Sequence, residues 1–148
     1  MTDFSKVAVV LPKILDIENL DVKVLLDINV DNLEETMQYQ PTLYCTIGLY
    51  ARKAESVVAE LKGKIELLES RIRAELDFQF AIDKKRLVSA TIKQSCNASP
   101  EYNKYQEELR QAEYAAKVFA TIEESFKQRF GMIQQIAKRR SNELTQLI

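Results

Sequence analysis

Apolar residues recur at helical spacing through most of the chain. From Ile47 they continue at Tyr50, Ala54, Val57, Leu61, Ile65, Leu68, Ile72 and Leu76, in steps of three and four that make one stripe on a helix. A second stripe comprises Tyr102, Tyr105, Leu109, Ala112, Ala116, Phe119, Phe126, Phe130, Ile133 and Ala137, and its early steps alternate as in a heptad seam. The boundaries are marked by turn chemistry. Asp31, followed by Glu34 and Glu35, predicts a helix N-cap and a short helix over about 32–39. Pro41 predicts a break there, because proline suits a first helical position and not an interior one. A rod over about 41–80 follows, roughly 60 Å long at 1.5 Å per residue. Asp83, Lys84, Lys85 and Arg86 form a polar bend, and Ser89 is placed to cap a short helix from Ala90 to Cys96. Ser99, Pro100 and Glu101 carry a cap, a first-turn proline and a dipole-matched acid, so a second rod should run over about 100–144.

These elements predict a mainly all-α protein. Residues 31–148 form a long antiparallel helical hairpin with rods 41–80 and 100–144 and a connector 81–99. Residues 1–30 form an N-terminal arm. Within it Val7–Leu11 and Val22–Ile28 are rich in branched residues and fit short strands or extended chain. Leu49, Val58, Leu67, Phe78, Val118 and Ile122 lie off the main stripes, which is more apolar surface than a lone two-helix hairpin covers and predicts self-association.

Composition narrows the possible functions. The 148 residues contain 3 Gly, 3 Pro and no Trp, consistent with few, long elements. There is no His, no glycine-rich phosphate loop and no GxSxG. The acid pairs Glu107/Glu108 and Glu123/Glu124 occupy adjacent helical positions and point about 100° apart, so they read as solvated faces. The expectation is a protein without catalysis, metal or cofactor. Cys45 and Cys96 lack metal-site spacing and read as small buried hydrophobes in a reducing compartment. The start Met-Thr-Asp-Phe-Ser has no basic region of a secretory signal, and Val7–Leu15 is interrupted by Pro12 and Lys13, so the cytoplasm is expected and no membrane partner.

Net charge is −1, unevenly spread. Residues 1–40 hold 8 acids and 3 bases, and residues 41–148 hold 14 acids and 18 bases, so an acidic arm precedes a mildly basic body. The bases cluster. Arg71 and Arg73, then Lys84, Lys85, Arg86 and Lys93, lie toward the hairpin tip. Lys127, Arg129, Lys138, Arg139 and Arg140 form a second cluster, with no acid from 125 to 142. Such cations are either ordinary solvated charge or contacts to nucleic-acid phosphate, where repetition in an oligomer adds up. Tyr39, Tyr44, Tyr50, Tyr102, Tyr105 and Tyr114 begin the two rods. Tyr50, Tyr102 and Tyr105 fit the stripes as core residues, and none is assigned to base stacking.

The order of features resembles the T4-type phage recombination mediators, the UvsY-like family. The likeness rests on Val30-Asp31 leading to Gln38-Tyr39 and Leu43-Tyr44 and on the basic pair in Arg71-Ile72-Arg73-Ala74-Glu75-Leu76-Asp77-Phe78. It continues in Lys127-Gln128-Arg129 followed by Ile133, Ile136, Arg139, Arg140 and Glu143. It spans roughly residues 30–143. The first 30 residues are longer than the family's, and a Gly-rich bend is absent near 80–85. The resemblance implies a ring-like homo-oligomer, a hexamer or heptamer, that binds single-stranded DNA. It also implies loading of a RecA-like recombinase onto DNA coated by single-strand DNA-binding protein, in phage recombination, replication and repair. It implies no cofactor, and it assigns Arg71 and Arg73 to DNA. A non-enzymatic scaffold or assembly chaperone that binds protein partners is the alternative, and the −1 net charge suits it.

Overall fold

The computed structural model describes residues 22–147. The strand or extended arm expected around Val7–Leu11 lies outside them. The described residues are all-α, with four helices and no strand: α1 Val22–Leu26, α2 Leu33–Ile82, α3 Ser89–Ala98 and α4 Pro100–Gln146. They belong to two compact units. One comprises the described residues up to Ala54 together with those from Ala115 onward, the other Glu55–Tyr114.

In the first unit, the start of α2 packs on the second half of α4. Arg52 faces Glu123, and Gln40 faces Phe126 and Arg129, so the two segments run antiparallel. Leu43, Ile47, Ile122 and Phe126 form one apolar cluster, with Leu26, Tyr44 and Val118 against it. Ala51, Ala54 and Phe119 form another, where the Tyr50 and Phe119 rings stack at 5.7 Å. Alanines at 51, 54 and 115 are almost wholly buried and let the helices approach closely around the two phenylalanines. In the second unit, Leu61, Ile65, Leu68, Cys96 and Ala112 are buried, and Lys62 pairs with Glu113 at 3.5 Å.

Several boundaries differ from the sequence expectation. Val22–Leu26 is a short helix and not a strand. The Arg129 guanidinium takes the carbonyls of Leu26 and Asp27 at its C-terminal end, and a cation there offsets the β-preference of its valines. The first long helix does not break at Pro41. It runs unbroken from Leu33. Proline removes the partner of the Met37 carbonyl at a cost of about 3 kcal/mol. Burial of Leu33, Thr36 and Gln40 on the preceding turns outweighs it, and the Gln40 amide donates to the Phe126 carbonyl at 3.0 Å. The cap is Asn32 and not Asp31. Asn32 Oδ1 accepts from the Glu35 N–H, Asn32 Nδ2 donates to the Glu35 carboxylate, and Asn29 Oδ1 accepts from the N–H groups of Asp31 and Asn32.

The C-terminus of α2 closes without glycine. Lys84 takes the left-handed position at φ 51°, the Lys85 N–H donates to Phe80 O and the Lys84 N–H to Ala81 O. Ser89 is the first residue of α3 and not its cap; Val88 precedes it with no side-chain capping bond. Ser99 does cap α4, its hydroxyl accepting from the Tyr102 N–H at 3.3 Å.

Side-chain burial also corrects the stripes. Phe130 is 47% exposed, while Ile122, expected off the stripe, is 3% exposed and belongs to the core with Val118 packed on it. Cys45 is exposed and Cys96 buried. Of the other residues expected off the stripes, Leu49, Leu67 and Phe78 are exposed, and Val58 and Val118 are half-buried.

Two outcomes follow for stability. Phe126→Ala should cost about 3–5 kcal/mol, since its ring is fully buried in the first unit. Pro41→Ala should instead stabilise by about 1–3 kcal/mol, because position 41 is exposed and the change restores a ladder bond. Urea denaturation of both variants against wild type checks the two opposite signs.

Candidate functional site

The basic residues divide into three kinds of surroundings. Within helix pairs and along helix faces, Arg52, Lys62, Lys64, Lys104, Arg110 and Lys127 are each matched to a glutamate. Such exposed pairs add little stability, but they do neutralise the cations. By contrast Arg71, Arg73, Lys84, Lys85, Arg86 and Lys93 are all exposed, and none makes an ion pair among the described residues. They fall within 23 consecutive positions on the end of α2, the turn and the start of α3. Only Glu75, Asp77 and Asp83 are acidic in that span.

The third kind is buried. Arg129, expected in the second basic cluster, is 6% exposed and does not belong to the surface. Its Nε donates to Leu26 O and Asp27 O at 3.2 Å each, one terminal nitrogen donates to Asp27 O at 2.6 Å, and the other donates to Gln40 Oε1. The Phe126 ring lies 5.8 Å below the guanidinium carbon. Burial lowers the Arg129 pKa from its ordinary value and Asp27 opposes the shift, yet a guanidinium stays charged across the physiological range. Of the remaining cluster, Lys127 pairs with Glu124 and Arg140 donates to Val30 O, whereas Lys138 and Arg139 are exposed with no ion pair among the described residues. The sequence signal for the Arg129 role was its 3.6-residue spacing from Phe126 and Ile133, which puts it on the core face.

In the second unit a groove of about 670 Å³ lies between α2 and α3. Glu66, Glu69, Arg73, Lys93, Cys96 and Tyr102 are among its walls. The structure thus joins Arg73 with Lys93 and separates Arg73 from Arg71, which does not line the groove. Two residues apart on a helix, their directions differ by about 200°. The glutamates went unnoticed in the sequence, although Glu66 and Glu69 stand seven and four positions before Arg73, on its helix face. The Tyr102 hydroxyl donates to Glu69 Oε1 at 2.9 Å, and its pKa is raised by burial first and by that bond second. Burial, with the Glu69 charge, also pushes the Cys96 thiol up, which keeps it protonated and unreactive at neutral pH. Among the described residues no group of three or more metal-ligating side chains converges, and no helix is long and apolar enough to cross a membrane.

Arg129→Met should destabilise the protein by about 2–4 kcal/mol, since three carbonyl acceptors lose a charged donor, while Lys138→Ala should stay within about 0.5 kcal/mol. Thermal unfolding of the two variants distinguishes a structural arginine from a surface one in the same basic run.

Compared with known proteins, the chain matches no family model, no curated protein and no solved structure.

Proposed function

We propose that this chain is a non-enzymatic, self-associating helical-hairpin protein that binds single-stranded DNA and acts as a recombination mediator. In this role it helps a RecA-like recombinase onto DNA covered by single-strand DNA-binding protein. The observation that carries the reading is the run of exposed cations without ion pairs over residues 71–93, where eight other cations of the described residues are matched to acids or bonded to carbonyls. An unmatched cation is available to a phosphate, and each phosphate neutralised releases condensed counterions. Lys84, Lys85 and Arg86 are the principal contacts, with Arg73 and Lys93 beside them. Glu66 and Glu69 make the groove itself a poor bed for phosphate, so the strand follows the turn and not the groove floor. Several copies in one assembly, six or seven by the family resemblance, each bring a basic turn, and their phosphate contacts add although each chain has a net charge of −1.

Fluorescence anisotropy with a labelled single strand, at several salt concentrations, tests this. Binding should fall with salt at a log–log slope well beyond −2, since each phosphate contributes about −0.7. Replacing Lys84, Lys85 and Arg86 together by Ala should weaken binding at least tenfold and flatten the slope, with helicity unchanged. Arg73→Ala should cost more than Arg71→Ala. Absence of binding even near ~50 mM salt would favour the scaffold reading, because electrostatic attachment is strongest there.

A further inference from the structure

Self-association in the proposed function leaves open which surface meets which. One face of α2 in the second unit answers that question. Taking Leu67 as the reference, 100° per residue places Glu60, Gly63, Arg71, Ala74 and Phe78 within about 40° of it. All six are exposed, Leu67 at 63% and Phe78 at 70%. Among the described residues nothing crowds Gly63, as is also true of Gly131. A Cβ built there meets no atom within 4 Å, and glycine in a helix interior is less favourable than alanine. A close approach by a second helix would give it a reason.

The face is complementary to itself when reversed. About a two-fold axis between Gly63 and Leu67, Gly63 of one copy receives Leu67 of the other, and Glu60 of one falls opposite Ser70, one residue from Arg71 and within reach of that long side chain. Ser56, on the same face, falls opposite Ala74, so small residues meet outside the charged pair. Glu60 holds Lys64 through one carboxylate oxygen at 2.7 Å, leaving the other for a partner, and Arg71 makes no ion pair within the chain among the described residues. A parallel arrangement would set Glu60 against Glu60 and Arg71 against Arg71, and like charges disfavour it.

We infer that a second copy of this chain docks antiparallel on this face of α2, with Glu60 and Arg71 paired reciprocally and Leu67 seated over the partner's Gly63. The contact covers residues 56–74, about 27 Å of helix. It rests on the self-association reading and is independent of DNA binding. It also explains why Arg71 and Arg73, so close in sequence, stand on different faces: Arg71 serves the assembly.

Light scattering on the full-length protein at micromolar concentration tests the contact. Gly63→Leu should leave helicity intact, as the site is open within the chain, and should at least halve the assembly mass. Glu60→Arg and Arg71→Glu should each do the same, and the double variant E60R/R71E should regain the wild-type mass. A wild-type mass of one chain overturns both this contact and the self-association reading. A wild-type oligomer unchanged by Gly63→Leu overturns this face alone. Single charge variants that weaken the assembly without rescue in the double variant overturn the antiparallel pairing.

Discussion

The first unit is organised around a buried charge whose hydrogen bonds go to carbonyls. Arg129 is buried, and its donors go to backbone carbonyls at the end of α1 and to the Gln40 side chain. Gln40 in turn donates to the carbonyl of Phe126, one helical turn before Arg129. The circuit closes on itself and ties three helices together. It also accounts for Pro41. A proline in the ninth position of a helix would normally end it, but the turn before it is anchored by Gln40 and by buried Leu33 and Thr36. Removing the guanidinium would leave acceptors without donors, and it is this asymmetry that makes the node matter more than the net strength of its bonds suggests.

The two units solve packing differently. The first uses phenylalanines seated among alanines, with Arg129 turned inward and Arg52 and Lys127 matched to glutamates. The second has a thinner apolar core of Leu61, Ile65 and Leu68, with Cys96 and Ala112. It leaves Leu67, Phe78 and Ile82 in water together with the run of cations without ion pairs. Residues unused by folding are available for binding, and the second unit gathers its unpaired cations into one short run.

Helix type and extent were legible because periodicity and capping residues are local signals. The stripe from Ile47 to Leu68 is the buried one, and the start of α4 at Ser99 and Pro100 was readable from its caps alone. What escaped was decided by distant partners. Pro41 reads as a break until Gln40 is seen across from Phe126, 86 residues away. Val22–Leu26 reads as strand or extended chain until Arg129 is found at its end, about a hundred residues on. Arg129 itself was counted with Lys138, Arg139 and Arg140 because charge runs are visible in one dimension and burial is not. Asn32 was passed over for Asp31 although the two are equally good caps, and only the bonds to Glu35 decide between them.

The basic pair near the end of α2 shows how far spacing alone can carry a functional reading. Arg71 and Arg73 stand together in the sequence, and a resemblance that matches them as a pair invites one role for both. Helix geometry separates them by about 200°, and the groove confirms the separation by including Arg73 and excluding Arg71. Arg73 shares its side of the helix with Lys93, across the groove between α2 and α3. The opposite face carries an acid, a glycine, a leucine and an arginine in an order that matches its own reversal. Two residues that look like one basic pair in the sequence therefore present their charges to different sides of one short stretch of helix.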